Sequence, residues 1–287
     1  MKKTVFLHIG LPKTGTSLVQ STFLASPEIL ERFSIRYLQA GTRVFDDGGH
    51  HVLVMAGLGE RGQRISPEKS PELVRRSWDE AIAEIEGCAE TRIFISSELL
   101  ALDVTEVADI ETFRDGLSQQ GKHDMKVVVT LRDPADFVNS VYSQRVRDGF
   151  DGTVQNYMAR IRRLLDWEAL IKPWAAVFGA QNLILLRFEA LDRTAMVDDF
   201  FRLVFGETLE APLFPSPQVN PSLPHSAILF LRELNGSAMP EDEKGAIRNY
   251  LHTALGRHQT GMKKADFLRD DEKALVRRQC RWPATVN

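Results

Sequence analysis

Short apolar runs separated by longer stretches of helical spacing set the pattern of this chain. Residues 4–9, Arg92–Ser96, 126–131 and 182–187 are rich in β-branched and aliphatic side chains, and each is followed by apolar positions that recur every three or four residues. Strand followed by helix, repeated in this way, predicts an α/β fold with a central, mainly parallel sheet flanked by helices. Val127-Val128-Val129 and Ile184-Leu185-Leu186 are unbroken apolar runs, as expected of strands covered on both faces. Residues 71–86 and 167–178 have the spacing of covering helices. Two segments lack either period: the glycine-rich stretch 40–71 and the proline-rich stretch 211–224. The first is read as irregular chain covering one side of a site, because loops on a rigid sheet carry binding residues.

Composition narrows the class. The chain has 287 residues, 43% hydrophobic and 26% charged, within reach of one α/β domain. It is therefore read as one domain over 1–287 with a mainly helical C-terminal part from about 212. No apolar stretch reaches the roughly 20 residues of a membrane span, so no integral membrane segment is expected. The beginning of the chain has the look of a secretion signal, but its apolar stretch is interrupted at His8 and stops at Pro12-Lys13, so a buried strand is expected. Cys88 and Cys280 form neither a disulfide framework nor a metal-ligand spacing, which predicts a cytoplasmic protein without a bound metal. A net charge of −3 argues against broad nucleic-acid binding and leaves room for a local basic pocket. Nothing in the pattern specifies an oligomeric state.

The candidate chemistry begins after the first strand, at Gly10-Leu11-Pro12-Lys13-Thr14-Gly15-Thr16-Ser17, with helical spacing resuming at Leu18, Val19, Thr22 and Phe23. A strand, a glycine-containing turn and a helix aim backbone N–H groups and the positive helix end at a phosphate. Lys13 adds a point charge, and Thr14, Thr16 and Ser17 add hydroxyl donors. The segment nearly matches the nucleotide-triphosphate loop, but Thr16 stands where that motif places its lysine. The charge has moved to position 13. A group with less negative charge than a triphosphate can be served by a lysine with hydroxyls and amides around it, without metal.

A second anion site is expected at Arg132-Asp133-Pro134, which follows the strand 126–131. Asp133 suits a helix N-cap and Pro134 the first helical position, and the helix should end near Gly149. At 100° per residue, Ser140 shares a polar stripe with Asp136, Gln144 and Arg147, away from Val138, Val141 and Val146. Parallel strands put their carboxyl ends on one edge of a sheet, so Arg132 and Ser140 are expected on the edge that carries the first loop.

With both segments in view, the chain resembles the PAPS-dependent sulfotransferases, where PAPS is 3′-phosphoadenosine-5′-phosphosulfate. Pro12-Lys13-Thr14-Gly15-Thr16-Ser17 is similar to their 5′-phosphosulfate loop, and Leu131-Arg132-Asp133-Pro134 with Ser140 and Tyr142 is similar to their 3′-phosphate motif. The resemblance implies a P-loop-like three-layer α/β fold and in-line transfer of a sulfuryl group to a hydroxyl or amine, leaving the bisphosphate PAP. It implies that Lys13 contacts the leaving phosphate and the sulfuryl group, that Thr14 to Ser17 bind the 5′-phosphate, and that Arg132 and Ser140 hold the 3′-phosphate. Leu186-Arg187-Phe188-Glu189-Ala190-Leu191 is similar to a later strand-end segment of the family, and 257–264 is a loose counterpart of its basic nucleotide-closing loop. The acceptor is expected to be a small molecule or glycan, a carbohydrate or glycolipid by family analogy.

Attack on sulfur also needs a group to take the acceptor's proton. Glu98 follows the strand Arg92–Ser96 and should emerge at the edge that carries the phosphate loop, while His50 and His51 lie in the glycine-rich segment. The family uses either a histidine or a glutamate, so all three stand as candidates. His8, inside the first strand, is expected to be a packed core residue. Two other readings fit parts of the pattern: a P-loop kinase of nucleotides or small molecules, and a PAP-binding module without catalysis. The displaced lysine and the Arg132–Ser140 pair weigh against the first, and Lys13 with the candidate bases against the second.

Overall fold

A computed structural model describes residues 1–215, 223–256 and 265–283. Five strands are present, β1 (Thr4–His8), β2 (Ile35–Tyr37), β3 (Arg92–Ser96), β4 (Asp124–Leu131) and β5 (Leu183–Arg187). They form one sheet in the order β2-β3-β1-β4-β5, with every neighbouring pair parallel. The expected α/β architecture is thus realised, with the loop-bearing β1 at its centre. His8 is in register with Ser96 on one side and Val128 on the other, so the chain leaves β1 and β3 at the same level of the carboxyl edge.

Alternation along the strands divides the core into two layers. Phe6, Phe94, Val128 and Leu186 share one layer with Val19 and Phe23 of the helix Thr16–Ala25 and with Val197, Phe200, Phe201 and Val204 of the helix Met196–Phe205. Val5, Leu7, Ile93, Ile95, Val127 and Val129 are equally buried and point to the other side. The helix Trp167–Phe178 packs against β4, and the helices His51–Leu58, Pro71–Gly87 and Val107–Leu117 pack together with it. Burying each large side chain in these layers contributes about 1.5–3 kcal/mol.

The described residues fall into two compact units, one made of 1–131, 167–215 and 282–283, the other of 132–166, 223–256 and 265–281. In the second, Asp133 caps the helix Pro134–Arg147 through bonds from the Ala135 and Asp136 amides, as its sequence predicts. Val138, Val141 and Val146 are buried, and the helices His225–Gly236 and Asp270–Gln279 pack on this one.

The segment 40–71 departs from its expected irregularity. It contains the helix His51–Leu58 and a short helical turn, Glu60–Gln63. The reason is that Val52, Leu53, Val54 and Met55 are all buried, so the helix is apolar all round and leaves no amphipathic period to read. Strand β2 was hidden for a different reason, its three residues being too few to display an alternation. The stretch 257–264, matched loosely to a nucleotide-closing loop, lies outside the described residues. Among the described residues, no helix is long and apolar enough to cross a membrane.

Candidate functional site

The loop after β1 is shaped by two glycines, one closely packed and one left-handed. A Cβ on Gly10 would lie 2.6 Å from Thr16 Oγ1 and 2.8 Å from His8 Nε2, while one on Gly15 would lie 2.4 Å from Met196 Cε. Gly15 is also left-handed, at φ +83°, and it precedes the helix Thr16–Ala25 without any side-chain cap. The first turn of that helix thus receives no hydrogen bond from an N-cap side chain. Gly15→Ala is expected to cost about 1–2 kcal/mol from the left-handed backbone alone, visible as a lower urea midpoint with unchanged slope.

Lys13 adopts φ +66°, a conformation uncommon for a side-chain-bearing residue. It lies three residues before the helix Thr16–Ala25. The hydroxyls of Thr14 and Thr16 differ from expectation. Thr14 Oγ1 donates to the Leu11 carbonyl at 2.6 Å, and Thr16 Oγ1 lies 3.3 Å from the same oxygen. Both residues are buried, so their hydroxyls take acceptors within the protein and brace the turn instead of facing outward. Ser17, in the first helical turn, is exposed, and Pro12 is half-buried at the start of the turn.

Glu98 arrives beside this loop because its strand is the neighbour of β1. The Ser97 amide donates to the His8 carbonyl at 3.1 Å, which carries the parallel pairing one residue past β3. Burial pushes the Glu98 carboxyl above its ordinary range, and the Asp47 carboxylate acts in the same direction. His51, Lys13 and a hydrogen bond with the Thr16 side chain pull it back. Lys13, Thr16 and Glu98, read separately from the sequence, thus act on one another in one unit.

The two histidines of the glycine-rich segment are both buried. His50 is fully buried: its Nε2–H donates to the Leu38 carbonyl at 2.8 Å and its Nδ1 accepts the Ser96 amide at 3.1 Å. Burial holds it neutral, with its pKa pushed down to about 4, where it is a weak base. His51 opens the helix His51–Leu58, with Nε2 2.7 Å from Asp47 Oδ2 and Nδ1 2.7 Å from Ser97 Oγ. The Ser97 hydroxyl donates to Nδ1 when Nε2–H donates to Asp47. Both rings are committed to protein partners, and Glu98 is the candidate whose carboxyl the surroundings raise toward a base's range. Asp47 and Ser97 escaped the sequence reading because only the fold brings them to His51. His8 is a packed core residue, as expected, with Nδ1 2.9 Å from Ser96 Oγ and its pKa pushed down to about 3 by burial.

In the second unit, Arg132 is buried directly before the capped helix, and Ser140 is half-buried two turns along it. Asp133, besides capping the helix, accepts from Arg277 Nε at 2.8 Å, which together with the cap bonds holds its carboxyl below the usual range against the opposing effect of burial. Asn139 ties the same helix to 265–268, donating to Asp266 Oδ1 at 2.9 Å and accepting from the Phe267 amide at 2.8 Å.

No family model matches the chain, and no curated protein does. Among solved structures, the chain is similar to a sulfotransferase from Alicyclobacillus acidocaldarius, with 17% identity over 91% of this chain and 98% of that one and a TM-score of 0.45. A likeness at that level is a resemblance of chain path alone.

Proposed function

We propose that this protein is an enzyme that transfers a sulfuryl group from PAPS to a hydroxyl or amine of a small-molecule or glycan acceptor in the cytoplasm. The observation that carries the reading is the meeting of Lys13, at a glycine-shaped and uncapped helix start, with a carboxyl raised by burial at Glu98. The donor set fits a phosphosulfate. The turn accepts close backbone approach, and the helix start favours an anion. Lys13 sits on the loop instead of at position 16, where a triphosphate-binding lysine would stand.

In the proposed step the acceptor oxygen or nitrogen attacks sulfur, its proton passes to Glu98, and the bond from sulfur to the bridging phosphate oxygen breaks. Lys13 stabilises the charge that grows on that oxygen. Holding both reactants in line supplies much of the acceleration. Arg132 and Ser140 are assigned the 3′-phosphate by the likeness of their motif, and the 5′-phosphate falls to the amides of 14–17 and the exposed hydroxyl of Ser17. No residue in the scheme needs a metal. A carbohydrate or glycolipid is the acceptor class assigned by analogy.

The test is a thermal-shift comparison of PAP, ADP and ATP–Mg²⁺. PAP at about 100 times its dissociation constant is expected to add roughly 2.7 kcal/mol, with much smaller effects of the other two. Lys13→Ala and Arg132→Ala should each weaken the PAP response. Stronger stabilisation by ATP–Mg²⁺ than by PAP would turn the reading to a kinase.

A further inference from the structure

The residues Asp47, His51 and Ser97 form a continuous hydrogen-bonded chain that ends one residue before Glu98. Asp47 Oδ2 is 2.7 Å from His51 Nε2, and His51 Nδ1 is 2.7 Å from Ser97 Oγ. Ser97 is completely buried, its amide held by the His8 carbonyl and its Oγ accepting the Leu99 amide at 3.3 Å. Asp47, in contrast, is exposed, and its Oδ1 accepts the Gly49 amide at 2.9 Å. The ring of Phe45 meets His51 edge-on at 5.5 Å, and Lys69 lies over that ring. The chain therefore runs from the surface of the segment 40–50 to the backbone on which Glu98 is mounted.

Resting on the proposed transfer reaction, we propose that Asp47 and His51 are positioning residues: through Ser97 they fix the orientation and the electrostatic surroundings of Glu98. The carboxylate of Asp47 selects the tautomer of His51 that receives the Ser97 hydroxyl, a role that a third group commonly plays for a histidine. Ser97, held at side chain and amide, cannot rotate, and Glu98 leaves the strand end in one direction. The ionisable groups that act on Glu98 are Lys13, Asp47 and His51: Lys13 and the protonated form of His51 favour its ionised form, and Asp47 its neutral form. His50, beside His51, is held neutral by burial. His51 also lacks the position of a base, since both its nitrogens are engaged.

The first measurement requires no substrate. In the full chain with its glutamates carrying ¹³C at the side-chain carboxyl, Glu98 is assigned by comparison with Glu98→Gln and titrated in the wild type and in His51→Gln. Loss of the imidazole removes a group that favours the ionised carboxylate, so Glu98 is expected to titrate at higher pH in the variant. An unchanged or lower value would overturn the inference. The second follows PAP release from PAPS with water as the acceptor. Asp47→Ala, with its fold checked by circular dichroism and urea midpoint, is expected to slow release by on the order of ten- to a hundredfold, as small misplacements of a reacting group do. PAP affinity should not change, and Asp47→Asn, which keeps an oxygen for His51 Nε2–H, should recover most of the rate. Equal rates in all three proteins, or a loss that Asn does not rescue, would also overturn it. If the wild type releases no PAP, the transfer reaction is what fails, and the Glu98 titration still decides the positioning role.

Discussion

Glu98→Gln is expected to lower turnover of PAPS by on the order of 10²–10⁴, the usual worth of a well-placed base, while PAP binds within a few-fold of its wild-type affinity. The substitution keeps the length of the side chain and an oxygen for the Thr16 hydroxyl, so the loop around Leu11 and Thr16 is left standing. What it removes is the ability to accept a proton. Burial, which raises the carboxyl above its ordinary range, brings it nearer to the value at which a base is most effective at neutral pH. Rate is read as PAP release and affinity by titration calorimetry. A glutamine variant with full turnover would exclude Glu98 as the base. A variant that loses PAP affinity in step with rate would instead make it part of the nucleotide cradle.

The second large effect is on stability. Acidifying the solution from pH 7 to pH 5 is expected to cost about 4 kcal/mol, roughly 2 from each of His8 and His50. Both are buried and neutral in the folded chain, with pKa values pushed from 6.5 to about 3 and about 4. Below pH 6.5 the unfolded chain binds a proton at each site and the folded chain does not, so stability falls as pH falls. The loss continues until the pH reaches the folded values. Glu98 opposes this trend, because a raised carboxyl takes up its proton earlier in the folded chain, and the observed slope is that of the histidines less its contribution. Urea midpoints at several pH values give the slope, and His8→Asn should remove about half of the histidine part. A pH-independent midpoint between 7 and 5 would mean that these imidazoles are not buried as neutral bases. Against a total stability of 5–15 kcal/mol, typical of a domain, a loss of this size is easily measured.

The parts of the molecule that were legible beforehand share one property: their information is local. The strand Arg92–Ser96 and the helix Trp167–Phe178 have the bounds that their patterns predict, and Asp133-Pro134 caps its helix as written. The placement of Glu98 beside the loop followed from strand and edge alone. What stayed hidden depends on contacts between distant residues. Nothing in Asp47 or Ser97 marks them as partners of His51, and the helix His51–Leu58 presents no polar face because its neighbours cover it on every side. The same burial misdirects the reading of Thr14 and Thr16. As sequence they are two hydroxyl donors in a phosphate loop, and as structure they are buried hydroxyls turned inward, Thr14 to the Leu11 carbonyl and Thr16 between that carbonyl and Glu98.

That brace constrains how such a loop can change. Thr16 is buried at the crossing of Leu11 and Glu98, so a lysine placed there, as in triphosphate-binding loops, would carry its ammonium into the packed underside of the turn. Lys13 reaches its place only through a left-handed backbone that the turn enforces. Thr16→Lys would thus disrupt the buried brace of the turn. The position of one lysine is in this sense an architectural commitment, made by the turn before any ligand is bound.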